Sequence, residues 1–215
     1  HHNLIDGSAG SAIRLEGVHG TGAIVENVIS HNGATVQDAS TVLVETTNED
    51  HLDLQFQANL VEFNNQWELA DLPEGSHVLG HAVQLSARDE SSLAVEIHEN
   101  VLAENSVPHA GVAVENQTGG DVAIASGNAI QIDADDTATI TGLVTENTVL
   151  DNGRFSGVAN NAGQLMLYGG NGLVVDGQGQ SQIDLVVGDN AFSGNGFLQD
   201  VSDSGQGLQL SLIHI

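Results

Sequence analysis

The stretch Glu146-Asn147-Thr148-Val149-Leu150-Asp151-Asn152-Gly153 decides how this chain is read. It holds a hexad: asparagine, any residue, an apolar residue, two further residues, asparagine. The hexad returns as Asn27-Val28-Ile29-Ser30-His31-Asn32, Asn59-Leu60-Val61-Glu62-Phe63-Asn64, Asn100-Val101-Leu102-Ala103-Glu104-Asn105 and Asn190-Ala191-Phe192-Ser193-Gly194-Asn195. Degenerate copies begin at Asn3, Asn128 and Asn171. Self-similarity of this kind marks a solenoid, in which each unit buries its apolar face only by stacking on its neighbours. From Asn128 the starts lie 19, 24 and 19 residues apart, and Asn3 precedes Asn27 by 24. Read as one coil per hexad, the spacing predicts roughly ten coils and a rod about 50 Å long at about 4.8 Å per strand.

Working outward, a second unit lies between the hexads, as Ala12-Ile-Arg-Leu15, Ala82-Val-Gln-Leu85, Gly111-Val-Ala-Val114, Ala129-Ile-Gln-Ile132 and Gly207-Leu-Gln-Leu210. Its period-two alternation is that of a strand with one buried face. No sustained helical spacing occurs, so few or no helices are expected. The expected fold class is therefore all-β, a single parallel solenoid over residues 1–215. Asparagine suits the corners, because it tolerates the left-handed backbone and its amide can bond to a stacked counterpart. Residues 66–80, with Trp67, Pro73 and several acids, break the rhythm and are expected to leave the stack as a loop. Residues 210–215 translate in frame from CTGTCTCTTATACACATC, a transposase adapter sequence, so this tail is expected to be adapter-derived and the chain a fragment.

Composition agrees. Of the 215 residues 40% are apolar but only 3% aromatic, so the core must be built from Val, Ile, Leu and Ala. The formal charge is −26, with three Arg (Arg14, Arg88, Arg154) and no Lys. Such a chain cannot neutralise phosphates, which argues against nucleic acid, and an anionic membrane surface would repel it. No apolar run reaches the length of a membrane span, and without cysteine there is neither disulfide nor thiolate metal site.

The phrases Glu26-Asn27-Val28-Ile29-Ser30-His31-Asn32-Gly33 and Glu146-Asn147-Thr148-Val149-Leu150-Asp151-Asn152-Gly153 resemble the right-handed parallel β-helix repeat family, the superfamily of pectate-lyase-like enzymes and bacterial surface proteins. The resemblance implies a right-handed helix and an extracellular or cell-surface location. It is almost silent on activity, because one scaffold hosts many. Lyases of that superfamily use acid-bound calcium and a basic residue on one outward face. The outward positions of the second unit, Arg14, Leu43, Gln84, Ala113, Gln131, Met166, Val174 and Gln209, hold no carboxylate. Of the polygalacturonase-type motifs only Asp135-Asp136 matches.

Three sets of site residues are expected. The structural ladder is Asn27, Asn32, Asn59, Asn64, Asn100, Asn105, Asn147, Asn152, Asn190 and Asn195. Acids preceding it, Glu26, Glu99, Glu146 and Asp189, point to solvent at a corner. With the Asp133, Asp135 and Asp136 turn, they are candidate calcium ligands; a solvated acidic edge is the plainer reading. No cofactor is required. Trp67, with the apolar outward residues Leu43, Met166 and Val174, is a candidate contact surface for a carbohydrate or protein ligand. His77 and His81 are read as loop histidines rather than a metal pair. The expected role is a non-enzymatic segment of a secreted or surface bacterial protein, an adhesin-like stalk or display surface, flanked by further coils or caps. The alternative is a polysaccharide lyase or glycoside hydrolase domain whose catalytic coils are incomplete here.

Overall fold

The computed structural model describes residues 1–33, 39–68, 75–78, 80–106, 108–109, 114–115, 122–125, 127–160, 165–168, 170–196, 198–203 and 208–211, with side chains for 1–33, 39–66, 80–106, 127–154 and 170–196. Every strand pairing among them is parallel, and no described residue is helical. The hexads build a six-stranded corner sheet: Leu4–Asp6, Val28–Ser30, Leu60–Glu62, Val101–Ala103, Thr148–Leu150 and Ala191–Ser193. Two five-stranded sheets complete the best-packed part of each turn. The first runs through Ile13–Glu16, Val42–Thr46, Val83–Ala87, Ile130–Ala134 and Leu173–Gly177. The second runs through Gly20–Val25, His51–Gln57, Ser92–His98, Thr139–Thr145 and Gln182–Gly188.

The coil is longer than the hexad spacing suggests. Stacked asparagines are separated in sequence by 24, 32, 41, 47 and 43 residues from Asn3 to Asn190. Among the described residues the corner sheet thus has six levels, about 24 Å of stacking, where the hexad spacing predicts roughly ten coils and about 50 Å. The reason is that Asn128 and Asn171 stack on each other, not on Asn147. They mark a different corner of the same levels, so two asparagines about 20 residues apart are half a turn apart. Residues added in the longer turns form two further parallel sheets. Leu165–Tyr168, for example, lies between Val122–Ala125 and Leu208–Ser211. Within 66–80, Trp67–Glu68 pairs with Pro108–His109, and Gly75–Val78 with Val122–Ala125, so these two parts are strands of the stack. Residues 69–74, 79 and 212–215, and the Gly111-Val-Ala segment, lie outside the described residues.

The core explains the scarcity of aromatics. Parallel in-register stacking places like on like: Val42, Val83 and Ile130 in one row, Val44, Leu85 and Ile132 in the next, Leu52, Leu93 and Ile140 in the second sheet. All nine are essentially inaccessible to solvent. β-Branched and short apolar side chains fit a pleated, strand-lined interior. Among the described residues, Phe56 is the one aromatic in the set of fully buried large side chains.

Both corner ladders are continuous. Each ladder amide donates to the Oδ1 of the asparagine one level on, at 2.9–3.0 Å, from Asn27 to Asn190 and from Asn32 to Asn195. The same Oδ1 accepts the preceding level's backbone N–H, as Asn147 does from Asn100 at 3.1 Å. Backbone groups that a corner would leave unpaired are thus satisfied inside the protein.

Candidate functional site

A residue with a left-handed backbone precedes each asparagine of the first ladder: His2, Glu26, Ala58, Glu99, Glu146 and Asp189, with φ between 52° and 58°. The turn turns these side chains out of the stack, and the four acids are exposed as expected. Glu99 accepts from Gln57 Nε2 at 3.0 Å. Glu26 meets His2 at 2.5 Å. Among the described residues, His1, His2 and Glu26 are the only group of three donor side chains whose ligand atoms lie within 4.8 Å of one another. Two imidazoles and one carboxylate suit a transition metal better than calcium, which takes six to eight oxygens. Glu99, Glu146 and Asp189 occupy successive levels without converging on such a group.

Asp133 lies on the first sheet, in register with Ser86 and Asp176, whereas Asp135 and Asp136 form the following turn. Burial pushes the Asp133 carboxyl above its ordinary range, opposed by hydrogen bonds from Gln131 and Gln84. The apolar contact candidates do not come together. Leu43 and Val174 share one outward row, but Gln84 and Gln131 separate them. Met166 belongs to another sheet, and the Trp67 backbone to a third. His77 is in a strand, so the helical spacing needed to join it with His81 is absent. His81 instead takes the place of an asparagine in a third ladder: its Nδ1 accepts the Asn128 backbone N–H at 2.8 Å. Burial lowers its pKa to about 4.

The outward face of the second sheet carries what the second unit of the sequence lacks. Its rows are His51, Ser92, Thr139, Gln182; then Thr21, Asp53, Ala94, Thr141, Asp184; then Ala23, Gln55, Glu96, Leu143, Val186. Over the small side chains Ala23 and Ala94 lies an open groove of about 600 Å³, walled by Asp53, Gln55, Glu96 and Leu143. Gly142 keeps its inner strand close: a Cβ there would lie 1.9 Å from the Val95 carbonyl oxygen. His51 bridges two neighbours, with Nδ1 2.6 Å from Ser92 Oγ and Nε2 3.3 Å from Asp53 Oδ1. Sequence reading missed this face, although the alternation of His51-Leu-Asp-Leu-Gln-Phe-Gln57 and Ser92-Leu-Ala-Val-Glu-Ile-His98 signals it.

The three arginines stand elsewhere, each held by a carboxylate. Arg14 pairs with Glu16 at 2.5 Å, Arg88 with Glu45 at 3.0 Å and Arg154 with Asp151 at 3.3 Å. The groove can therefore accept hydrogen bonds from a hydroxyl-rich ligand, but no arginine lines it. No helix is long and apolar enough to cross a membrane among the described residues. Comparison with protein-family models, with curated proteins and with solved structures finds no match for this chain.

Proposed function

We propose that the chain is a segment of a right-handed, pectate-lyase-like β-helix from a secreted or cell-surface bacterial protein, serving as a stiff stalk that displays a ligand-contact face. The strong preference of parallel crossovers for the right hand supports that part of the reading. The observation that carries the reading is the pair of unbroken asparagine ladders beside a buried, mostly aliphatic core. Level-to-level bonding of this kind resists local opening, which a stalk needs and a mobile lid would not have. The display face is the groove of the second sheet, whose amide and carboxylate walls suit the hydroxyls of a carbohydrate. Calcium is not required for this role.

The polysaccharide-cleaving alternative needs an arginine or lysine beside a carboxylate cluster. Arg14, Arg88 and Arg154 pair with Glu16, Glu45 and Asp151, and none lines the groove beside Asp53 and Glu96, which favours the stalk. A glycan array probed with the wild type and with Gln55→Ala/Glu96→Ala tests the reading. Binding that the double variant loses supports it. Binding that survives the double variant, or none on any glycan, overturns the display face.

A further inference from the structure

The geometry points to an acyl-transfer centre on the rod: Ser92 as nucleophile, His51 as its base and Asp53 as the residue that positions the imidazole, with neutral esters as the substrate class. Sheet periodicity alone assembles the three. His51 and Asp53 are two residues apart on one strand, hence on one face. Ser92 is the lateral register partner of His51 on the next level. The Ser92 Oγ to His51 Nδ1 distance of 2.6 Å is within proton-transfer reach, and His51 Nε2 lies 3.3 Å from Asp53 Oδ1. With Nε2–H held by the carboxylate, Nδ1 is left as the acceptor that a serine nucleophile requires. The ring nitrogens are exchanged relative to the usual order of such a relay, but their roles are the same.

The surroundings give the substrate somewhere to lie. Ala94 follows Ser92 by two residues on the same face, about 6.6 Å along the strand, and floors the groove with Ala23. Thr139 is the register partner of Ser92 on its other side and carries a second hydroxyl there. The carboxylates of Asp53 and Glu96 disfavour an anionic substrate, and no arginine lines the groove to bind one. An uncharged acyl ester fits.

In the first step Ser92 Oγ bonds to the ester carbonyl carbon while its proton passes to His51 Nδ1. The carbon–oxygen bond to the leaving alcohol then breaks, and His51 returns that proton to the departing oxygen. Water next attacks the acyl-Ser92 carbonyl, giving its proton to His51, which passes it to Ser92 Oγ as the carboxylic acid departs. No redox partner is needed.

This inference shares the groove with the stalk reading but does not rest on it, because its test reads a covalent adduct on one serine and not glycan binding. The test is labelling of the intact chain by a fluorophosphonate ester, read by mass spectrometry, alongside release of p-nitrophenol from p-nitrophenyl acetate. A single adduct on Ser92 is expected. Ser92→Ala should abolish it and His51→Ala should slow it about 100-fold or more. Asp53→Asn should slow it with Asp53→Glu restoring part of the rate, which a merely structural carboxylate would not do. An adduct spread over several hydroxyls, a rate unchanged by His51→Ala, or no adduct while circular dichroism shows the folded chain would each overturn the proposal.

Discussion

Asn100 Nδ2 donates at 2.9 Å to Oδ1 of Asn147, 47 residues later, and at 2.8 Å to the carbonyl of Phe56, 44 residues earlier. One amide thus joins three successive levels. The same pattern holds at Asn105, which reaches Asn152 and Val61, and at Asn147, which reaches Asn190 and Ile97.

Removing such an amide strands several buried groups at once. Asn100→Ala leaves the Asn59 backbone N–H and the Phe56 carbonyl without their side-chain partner. Each buried unsatisfied group costs about 1–3 kcal/mol, so a loss of about 3 kcal/mol is expected in urea unfolding. Asn100→Asp should be no better at neutral pH, because it accepts but cannot donate to Asn147 Oδ1. A loss below about 0.5 kcal/mol, typical of a surface change, would contradict the ladder's role.

The left-handed row makes the opposite prediction. Glu146 sits at φ 57° and is exposed, so its side chain gains little from the position. Glu146→Gly relieves a backbone cost of about 1–2 kcal/mol, offset in part by the greater freedom of glycine when unfolded. The melting temperature should hold or rise slightly, whereas Glu146→Val should lower it.

His81 gives a pH signature. Unfolded, its imidazole takes a proton near pH 6.5, but folded only near 4, because burial disfavours the charged form. Nδ1 must also stay unprotonated to accept from Asn128. Relative stability is therefore full above pH 6.5 and is lost as pH falls through 4, by up to about 3 kcal/mol. His81→Asn keeps an acceptor in the ladder and should remove that share of the acid sensitivity, so the wild-type and variant curves should diverge between pH 6.5 and 4. Parallel curves would contradict this.

Calcium should do little. Glu99, Glu146 and Asp189 stand one to a level and do not converge, and the only three-donor group among the described residues includes two imidazoles. Millimolar calcium should leave the melting temperature unchanged within about 1 °C, since stabilisation needs binding to the native state. A rise of several degrees that Glu146→Gln abolishes would restore the acidic row as a calcium site.

Much of this is legible in the sequence, and what is not has two physical causes. The hexads name both ladders because an asparagine amide bonds to its own kind from level to level, although the left-handed backbone falls on the residue before each ladder asparagine rather than on the asparagine itself. The same chemistry recurs at Asn128 and Asn171, so residue type alone does not tell a full turn from a half turn, and the coil was read at half its length. The second-sheet face was readable in principle. His51 lies eight residues before Asn59, and Ser92 eight before Asn100, so counting back from the ladder gives their register. What no local pattern supplies is the groove, which depends on Ala23, Ala94 and Gly142 falling on three separate turns.

The stacking itself is tested most directly by a distance across levels. The chain has no cysteine, so Glu26→Cys/Asp189→Cys can carry one spin label at each exposed site for a double electron–electron resonance measurement. Those residues are four levels apart in one row, and the backbone separation should be about 19 Å, with labels giving a narrow distribution near that value. A broad distribution centred beyond about 40 Å would mean that the hexads do not pile along one axis, and the ladders, the rod and the groove face would fall with them.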